Sequence, residues 1–258
     1  MAEGLGVLYG VGVGPGDPGL ITVKAVRVLE RVSKIFAASS TKNDYSLAQR
    51  VVQENLADVS IEQLAFPMTR DEQVLLDAWH ENALRVLEVL QDGRDAAFVT
   101  LGDPLTYSTF SYLLRTMKEL APDVDVVAIP GITAYQAAAA VSRIPLAEGE
   151  ESLHLISGVE GGDKLRTVIE ASENVVMLKT YRNFSDIYTA LEELDLLDKA
   201  VYVGRCGLEG ETVVEDLRAL KGERTPYLSL IIIKKKGILP AAGEMGEHPI
   251  AAAQKTKA

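Results

Sequence analysis

Residues Gly14-Pro15-Gly16-Asp17-Pro18-Gly19 follow an apolar run, precede an amphipathic segment and satisfy the G-x-G-x-x-G spacing. In that setting a glycine turn can deliver backbone N–H groups to a dinucleotide pyrophosphate, so hydride transfer with a nicotinamide cofactor is the first chemistry to weigh. Two features oppose it. Pro15 and Pro18 have no N–H to offer, and a phosphate cradle depends on such donors. The acidic residue that would hold a ribose about twenty positions further on is missing, because that stretch reads Ala37-Ala-Ser-Ser-Thr41. A loop stiffened by proline and opened by glycine suits close approach to a ligand edge. A tight strand-to-helix turn with no ligand is the alternative.

Metal and thiol chemistry have little to work with. The only cysteine, Cys206, excludes an intramolecular disulfide and a Cys-only metal site. His80, His154 and His248 show no ligand spacing, so no metal is expected.

The elements that must position these residues follow an α/β rhythm of short apolar runs and amphipathic segments. Strands are expected at Val7–Val11, Ile35–Ala38, Ala96–Leu101, Val124–Ile129, Leu153–Ser157, Val175–Lys179, Ala200–Val203 and Tyr227–Ile233. Thr22 reads as the cap of a helix packing Val23, Val26, Leu29 and Val32 inward, and Ser46–Asn55 as a helix turning Leu47, Val51 and Val52 inward. Further helices are expected at Asp71–Gln91, stopped by Gly93, and at Thr109–Leu120, Thr133–Val141, Lys164–Ala171 and Ser185–Leu194. A composition break near Pro122–Asp125 divides the chain into a 1–123 domain and a 124–236 domain, with 237–258 as a frayed tail.

Composition narrows the functional classes. The chain has 258 residues, 47% of them hydrophobic and 24% charged, which suits a packed α/β protein. The net charge of −11 opposes nucleic acid or acidic lipid binding over a broad face. A small anionic ligand requires local convergence of Arg and Lys. No run approaches the roughly 18 apolar residues of a membrane span, and Met1–Gly6 lacks a basic signal-peptide region. The cytoplasm is the expected location.

Three loops taken together carry a resemblance. Gly12–Thr22, Leu101-Gly-Asp-Pro104 and Ile129-Pro-Gly-Ile-Thr-Ala134 resemble, in order and spacing, the tetrapyrrole methylases, class III S-adenosylmethionine methyltransferases. The likeness runs from about Val7 to Lys235. It implies two α/β domains with the cofactor bent into the cleft between them. Phe66–Asp71, Thr100–Leu113, Pro145–Gly149, Leu197–Tyr202 and Tyr227–Ile231 are similar to the branch that methylates C-20 of precorrin-2. Another ring carbon, or a protein side chain as in diphthine synthesis, is the alternative within the family. A nicotinamide-dependent dehydrogenase and a non-catalytic tetrapyrrole carrier are the alternatives outside it.

The resemblance implies cofactor contacts at Pro15, Leu101, Gly102, Asp103, Thr106, Thr133, Ala134, Leu178 and Gly207. Asp103 could accept from ribose hydroxyls or the methionine ammonium, or could instead cap the following helix. Thr133 has the same double reading. Cys206 has no base or metal partner in the pattern, so an inert buried thiol is expected. A macrocycle bearing eight carboxylates needs cations, and Arg70, Lys179, Arg182 and Arg205 lie next to the relevant motifs. Tyr107 and Tyr181 are candidate flat contacts, with core packing as the alternative. A sulfonium methyl is already activated, so alignment and desolvation are the expected contributions of the protein, and no residue is assigned as catalytic acid or base. The resemblance also implies a homodimer. It leaves the substrate's metal state open between metal-free precorrin-2 and cobalt-factor II.

Overall fold

The computed structural model describes residues 4–39 and 46–238, and the chain divides into two units after Ala137. In the first, β1 (Leu8–Gly12), α1 (Val23–Leu29), β2 (Lys34–Ser39), α2 (Leu47–Asn55), β3 (Ile61–Ala65), α3 (Glu72–Gln91), β4 (Ala96–Thr100), α4 (Phe110–Leu120) and β5 (Val126–Ile129) follow in order. All five strands are parallel, in the order β3-β2-β4-β1-β5. Both central strands, β1 and β4, are buried at every residue. This explains their unbroken apolar sequences, since a parallel sheet is covered on both faces.

Phe36, Phe98, Phe110, Leu113 and Met117 pack with α3 and α4 on one face, while Val11, Val28, Leu29, Val51 and Val52 pack with α1 and α2 on the other. Gly10 is required here, because a Cβ at that position would fall onto the Phe110 ring. Adjacent strands β1 and β4 therefore send their following helices to opposite faces. That is the topological switch point at which open α/β sheets receive ligands.

The second unit begins within α5 (Ala134–Ser142) and continues through β6 (Leu153–Ser157), α6 (Asp163–Val168), β7 (Asn174–Leu178), α7 (Phe184–Glu193), β8 (Ala200–Gly204), β9 (Thr212–Val214) and β10 (Ser229–Lys234). Its sheet order is β6-β7-β10-β8-β9. β6 and β7 are parallel, and β10 runs antiparallel between β7 and β8. Met177, Tyr202 and Ile231 pack against Leu165, Ile187 and Leu191 of the covering helices. Lys234, at the end of β10, is 5% exposed. Its Nζ donates to the Pro145 carbonyl at 3.0 Å and lies 3.5 Å from the Glu148 and Glu151 carboxylates, which anchors the segment entering β6. Among the described residues no helix is long and apolar enough to cross a membrane.

Several sequence expectations change. Val124–Ile129 was expected to open the second domain, yet β5 pairs with β1 from Leu8↔Val126 to Val11↔Ile129 and completes the first sheet. The division therefore falls after Ala137 instead of 123, and the Pro122 break marks only the turn between α4 and β5. β3 and β9 have no counterpart in the expected set; both are short edge strands with polar or exposed positions, which blunts the alternation that signals a strand. Val23 is 66% exposed, and Ala25, Val28 and Leu29 form the inward face of α1. Lys179 leaves its strand in a left-handed turn. Tyr227 and Leu228 precede β10 instead of belonging to it. Thr22 does cap α1, its hydroxyl accepting from Ala25 N at 3.1 Å. Residues 239–258 of the expected tail lie outside the described residues.

Candidate cofactor and substrate site

Loops leaving the carboxyl ends of β1, β4 and β5 meet backbone to backbone at the switch point. Gly102 N donates to Gly14 O at 2.7 Å and Gly14 N to Gly102 O at 3.4 Å, forming an isolated antiparallel bridge. Both residues have positive φ, +86° for Gly14 and +73° for Gly102, where a side chain would be strained. A Cβ on Gly12 would lie 2.5 Å from Gly102 O and 2.7 Å from Gly131 N. A Cβ on Gly131 would collide with the same Gly102 oxygen and lie 2.7 Å from the Gly12 carbonyl carbon. The three loops can come this close only because Gly12 and Gly131 lack side chains.

Asp103 ties these loops by its carboxylate. Oδ1 accepts from Leu105 N at 2.9 Å and from the Thr106 hydroxyl at 3.2 Å, and Oδ2 accepts from Gly131 N at 3.2 Å. The helix-cap reading of Asp103 is overturned. α4 starts after Thr109, which makes no side-chain cap bond, and Asp103 closes its own turn instead. Thr133 is a cap: its hydroxyl accepts from Gln136 N at 3.4 Å while Gln136 Oε1 accepts from Thr133 N at 3.0 Å. That reciprocal pair is a capping box at the start of α5. Ala134, the first residue of α5, is half-buried, as is Leu101, and Pro15 is buried.

A Cβ added to Gly102 would meet nothing within 4 Å. The Gly102 backbone thus presents an open face beside apolar Leu101. The Gly14 and Gly102 N–H groups are already spent on each other's carbonyls, which leaves neither as a pyrophosphate donor. Arg70 and Tyr107 lie on the same carboxyl edge, after β3 and β4 respectively; Arg70 is exposed and Tyr107 is 50% exposed with φ of +52°.

The remaining expected positions gather on the carboxyl edge of the second sheet. Leu178 ends β7 half-buried, and its carbonyl accepts from Gly158 N at 2.7 Å. Lys179 (φ +58°), Tyr181 and Arg182 form the following turn. After β8, Arg205 (φ +53°) donates Nε to Glu209 O at 2.6 Å, and Gly207 (φ +74°) donates N to the Glu211 carboxylate at 2.7 Å. Tyr181 meets Tyr227 edge-to-face, with ring centroids 4.8 Å apart.

Gly12, Gly131, Gln136 and Tyr227 are missing from the residues read as contacts. The capping box was readable as Thr-x-x-Gln, but the convergence of glycines is a tertiary fact.

Burial, with the Glu211 carboxylate adding to it, pushes the Cys206 thiol from its ordinary 9 up to about 12. An unfolded thiol loses its proton near 9, so the stability it contributes is complete below that pH and disappears as pH climbs toward 12. Iodoacetamide at pH 8 is expected to label Cys206 in urea and to spare the folded protein, as read by mass spectrometry. Rapid labelling of the folded form is the contrary result.

Fold and loops define a protein of two α/β units whose glycine loops are shaped for backbone contact with a ligand at a switch point. The chain belongs to the tetrapyrrole (corrin/porphyrin) methylases, whose family model matches residues 7–220. It is similar to a probable cobalt-precorrin-2 C(20)-methyltransferase of Methanocaldococcus jannaschii, 36% identical over 236 residues, covering 88% of this chain and 96% of that one. A precorrin-2 C(20)-methyltransferase of a Sinorhizobium species is 31% identical over 241 residues, covering 89% and 96%. Among solved structures, a uroporphyrin-III C-methyl transferase of Thermus thermophilus complexed with S-adenyl homocysteine shares the fold. Its TM-score is 0.62 at 23% identity, with 88% of this chain and 97% of that chain covered.

Proposed function

We propose that this protein transfers a methyl group from S-adenosylmethionine to the C-20 meso carbon of precorrin-2, in its metal-free or cobalt-bearing form, in cobalamin biosynthesis. The observation that carries the reading is identity of 36% and 31% to two C(20)-methyltransferases along nearly the whole of each chain. The open Gly102 face supports it, because a bent cofactor needs backbone approach and apolar walls more than it needs phosphate donors.

S-adenosylmethionine, when bound, supplies an electrophilic methyl group for the electron-rich meso carbon. The first unit offers Pro15, Leu101, Gly102, Asp103, Thr106, Thr133 and Ala134 to hold the cofactor. The Thr133 hydroxyl already caps α5 and both Asp103 oxygens already tie the loops, so these two residues act by shaping the cradle. Leu178 is proposed as an apolar contact and Gly207 as a point of close backbone approach. Arg70, Lys179, Arg182 and Arg205 neutralise substrate carboxylates, which a surface with net charge −11 cannot otherwise welcome. Tyr107 and Tyr181 present rings to the macrocycle. The chain's work is alignment and exclusion of water; as the new C–C bond forms the sulfonium S–CH₃ bond breaks, and the C-20 proton then leaves to water, so that the net gain is one CH₂.

The decisive experiment mixes protein, S-adenosylmethionine and either precorrin-2 or cobalt-factor II under anaerobic conditions and weighs the macrocycle. A gain of about 14 Da, the mass of an added CH₂, is expected with at least one substrate, at C-20 by NMR. No gain with either defeats the proposal, and methylation elsewhere on the ring places the protein in another branch. The protein is a cytoplasmic homodimer on this reading; sedimentation of the same preparation near about 56 kDa, twice 27.9 kDa, is expected.

A further inference from the structure

The residue that leads into β10 stands between the two cation-bearing turns, because β10 lies between β7 and β8 in the sheet. That residue is Leu228, and Tyr227 comes just before it. Its segment is stitched on both sides. Arg205 N donates to Leu228 O at 2.7 Å, and Thr180 N donates to Ser229 O at 3.5 Å. The Thr180 and Ser229 hydroxyls also hydrogen-bond at 3.0 Å, and Thr180 is 0% exposed, so this tie is sheltered from water.

Tyr227 is nevertheless 60% exposed. Its ring is steadied edge-to-face on Tyr181, at 61° between planes. Arg182 follows Tyr181 in the turn after β7, and its charge opposes the rise in the Tyr227 hydroxyl's pKa that desolvation and Tyr181 cause. The backbone just after Tyr227 is tied on both flanks and its ring rests on Tyr181, yet the ring is left open, so it offers an aromatic surface at low entropic cost.

We infer that Tyr227 is a specificity-determining contact for the substrate, its ring lying against the flat tetrapyrrole while Arg182 on one side and Arg205 on the other receive carboxylate groups. The inference rests on the proposed methyltransferase reading. A polycarboxylate ring matches both chemistries of this edge at once: a π face for the tyrosine and anionic arms for the flanking cations. Thr180 and Ser229 are positioning residues, since they hold the turn and the tyrosine in register without reaching the surface themselves.

The test compares wild type, Tyr227→Ala and Tyr227→Phe in steady-state methylation and in S-adenosylhomocysteine titration. Tyr227→Ala is expected to raise KM for the macrocycle about tenfold, the loss of one ring contact, with kcat and S-adenosylhomocysteine affinity unchanged. Tyr227→Phe keeps the ring and should stay within about twofold of wild type. An unchanged KM in Tyr227→Ala overturns the inference. So does an equal fall in S-adenosylhomocysteine affinity, a Phe variant as poor as Ala, or a shift in sedimentation that assigns the ring to a protein interface. If wild type itself methylates neither substrate, the proposed function fails separately. Macrocycle binding, followed by absorbance, then reads the Tyr227 contact directly by the same comparison.

Discussion

Gly131→Ala is expected to abolish S-adenosylhomocysteine binding, weakening it by more than about a hundredfold, while also lowering the melting temperature. The new methyl group would be driven into the Gly102 carbonyl oxygen and would crowd Gly12. Both neighbours are backbone, so no flexible side chain can swing away. Overpacking of this kind costs about 1–3 kcal/mol in a core. Here the relief must come from parting the β1, β4 and β5 loops, which form the proposed cradle. Gly102→Ala is the matching control. Its Cβ meets nothing within 4 Å, so the protein loses only the cost of a left-handed alanine, about 1–2 kcal/mol. The added methyl nevertheless occupies the open face offered to the cofactor, and affinity should fall about tenfold or more. Calorimetric titration with thermal melts separates the two modes. Wild-type affinity in Gly131→Ala would show that the cradle does not hold the cofactor.

That pair of glycines also shows what the sequence can and cannot disclose. The motifs Gly12–Thr22, Leu101–Pro104 and Ile129–Ala134 are local, and each loop falls where its strand ends, so these loops and the strands β1, β2 and β4 were legible. The meeting of Gly12, Gly102 and Gly131 was not, because nothing in one loop records which backbone approaches it. β5 was assigned to the wrong half for a related reason. A four-residue apolar run carries no sign of its partner, and pairing with β1 is decided by the sheet. Edge strands β3 and β9 lack the two-sided burial that gave β1 and β4 their signal. In the second unit the cationic turns could be read beside their motifs. Tyr227 could not be distinguished from a strand residue until β10 was seen to begin at Ser229.

Asp103→Asn should lower stability by about 1–3 kcal/mol and S-adenosylhomocysteine affinity by about tenfold, and its cause lies in donor and acceptor count. The carboxylate accepts three bonds, from Leu105 N and the Thr106 hydroxyl at Oδ1 and from Gly131 N at Oδ2. An asparagine has one acceptor oxygen and an NH₂ that can only donate. If the oxygen faces Leu105, the NH₂ confronts the Gly131 N–H; flipped, it confronts Leu105. Either way one backbone donor loses its acceptor and the remaining bonds lose their ionic assistance. Thr106→Val removes just one of the three bonds and should cost less than about 1 kcal/mol. Thermal melts and calorimetric titration of the two variants separate a loop tie from a direct ligand contact. As a tie, Asp103 loses stability and affinity together. An Asp103→Asn protein that melts like wild type while losing affinity would instead put the carboxylate on the ligand. The three acceptor bonds already made by Asp103 favour the first outcome, in which the residue serves the cofactor by keeping the β4 and β5 loops within reach of each other.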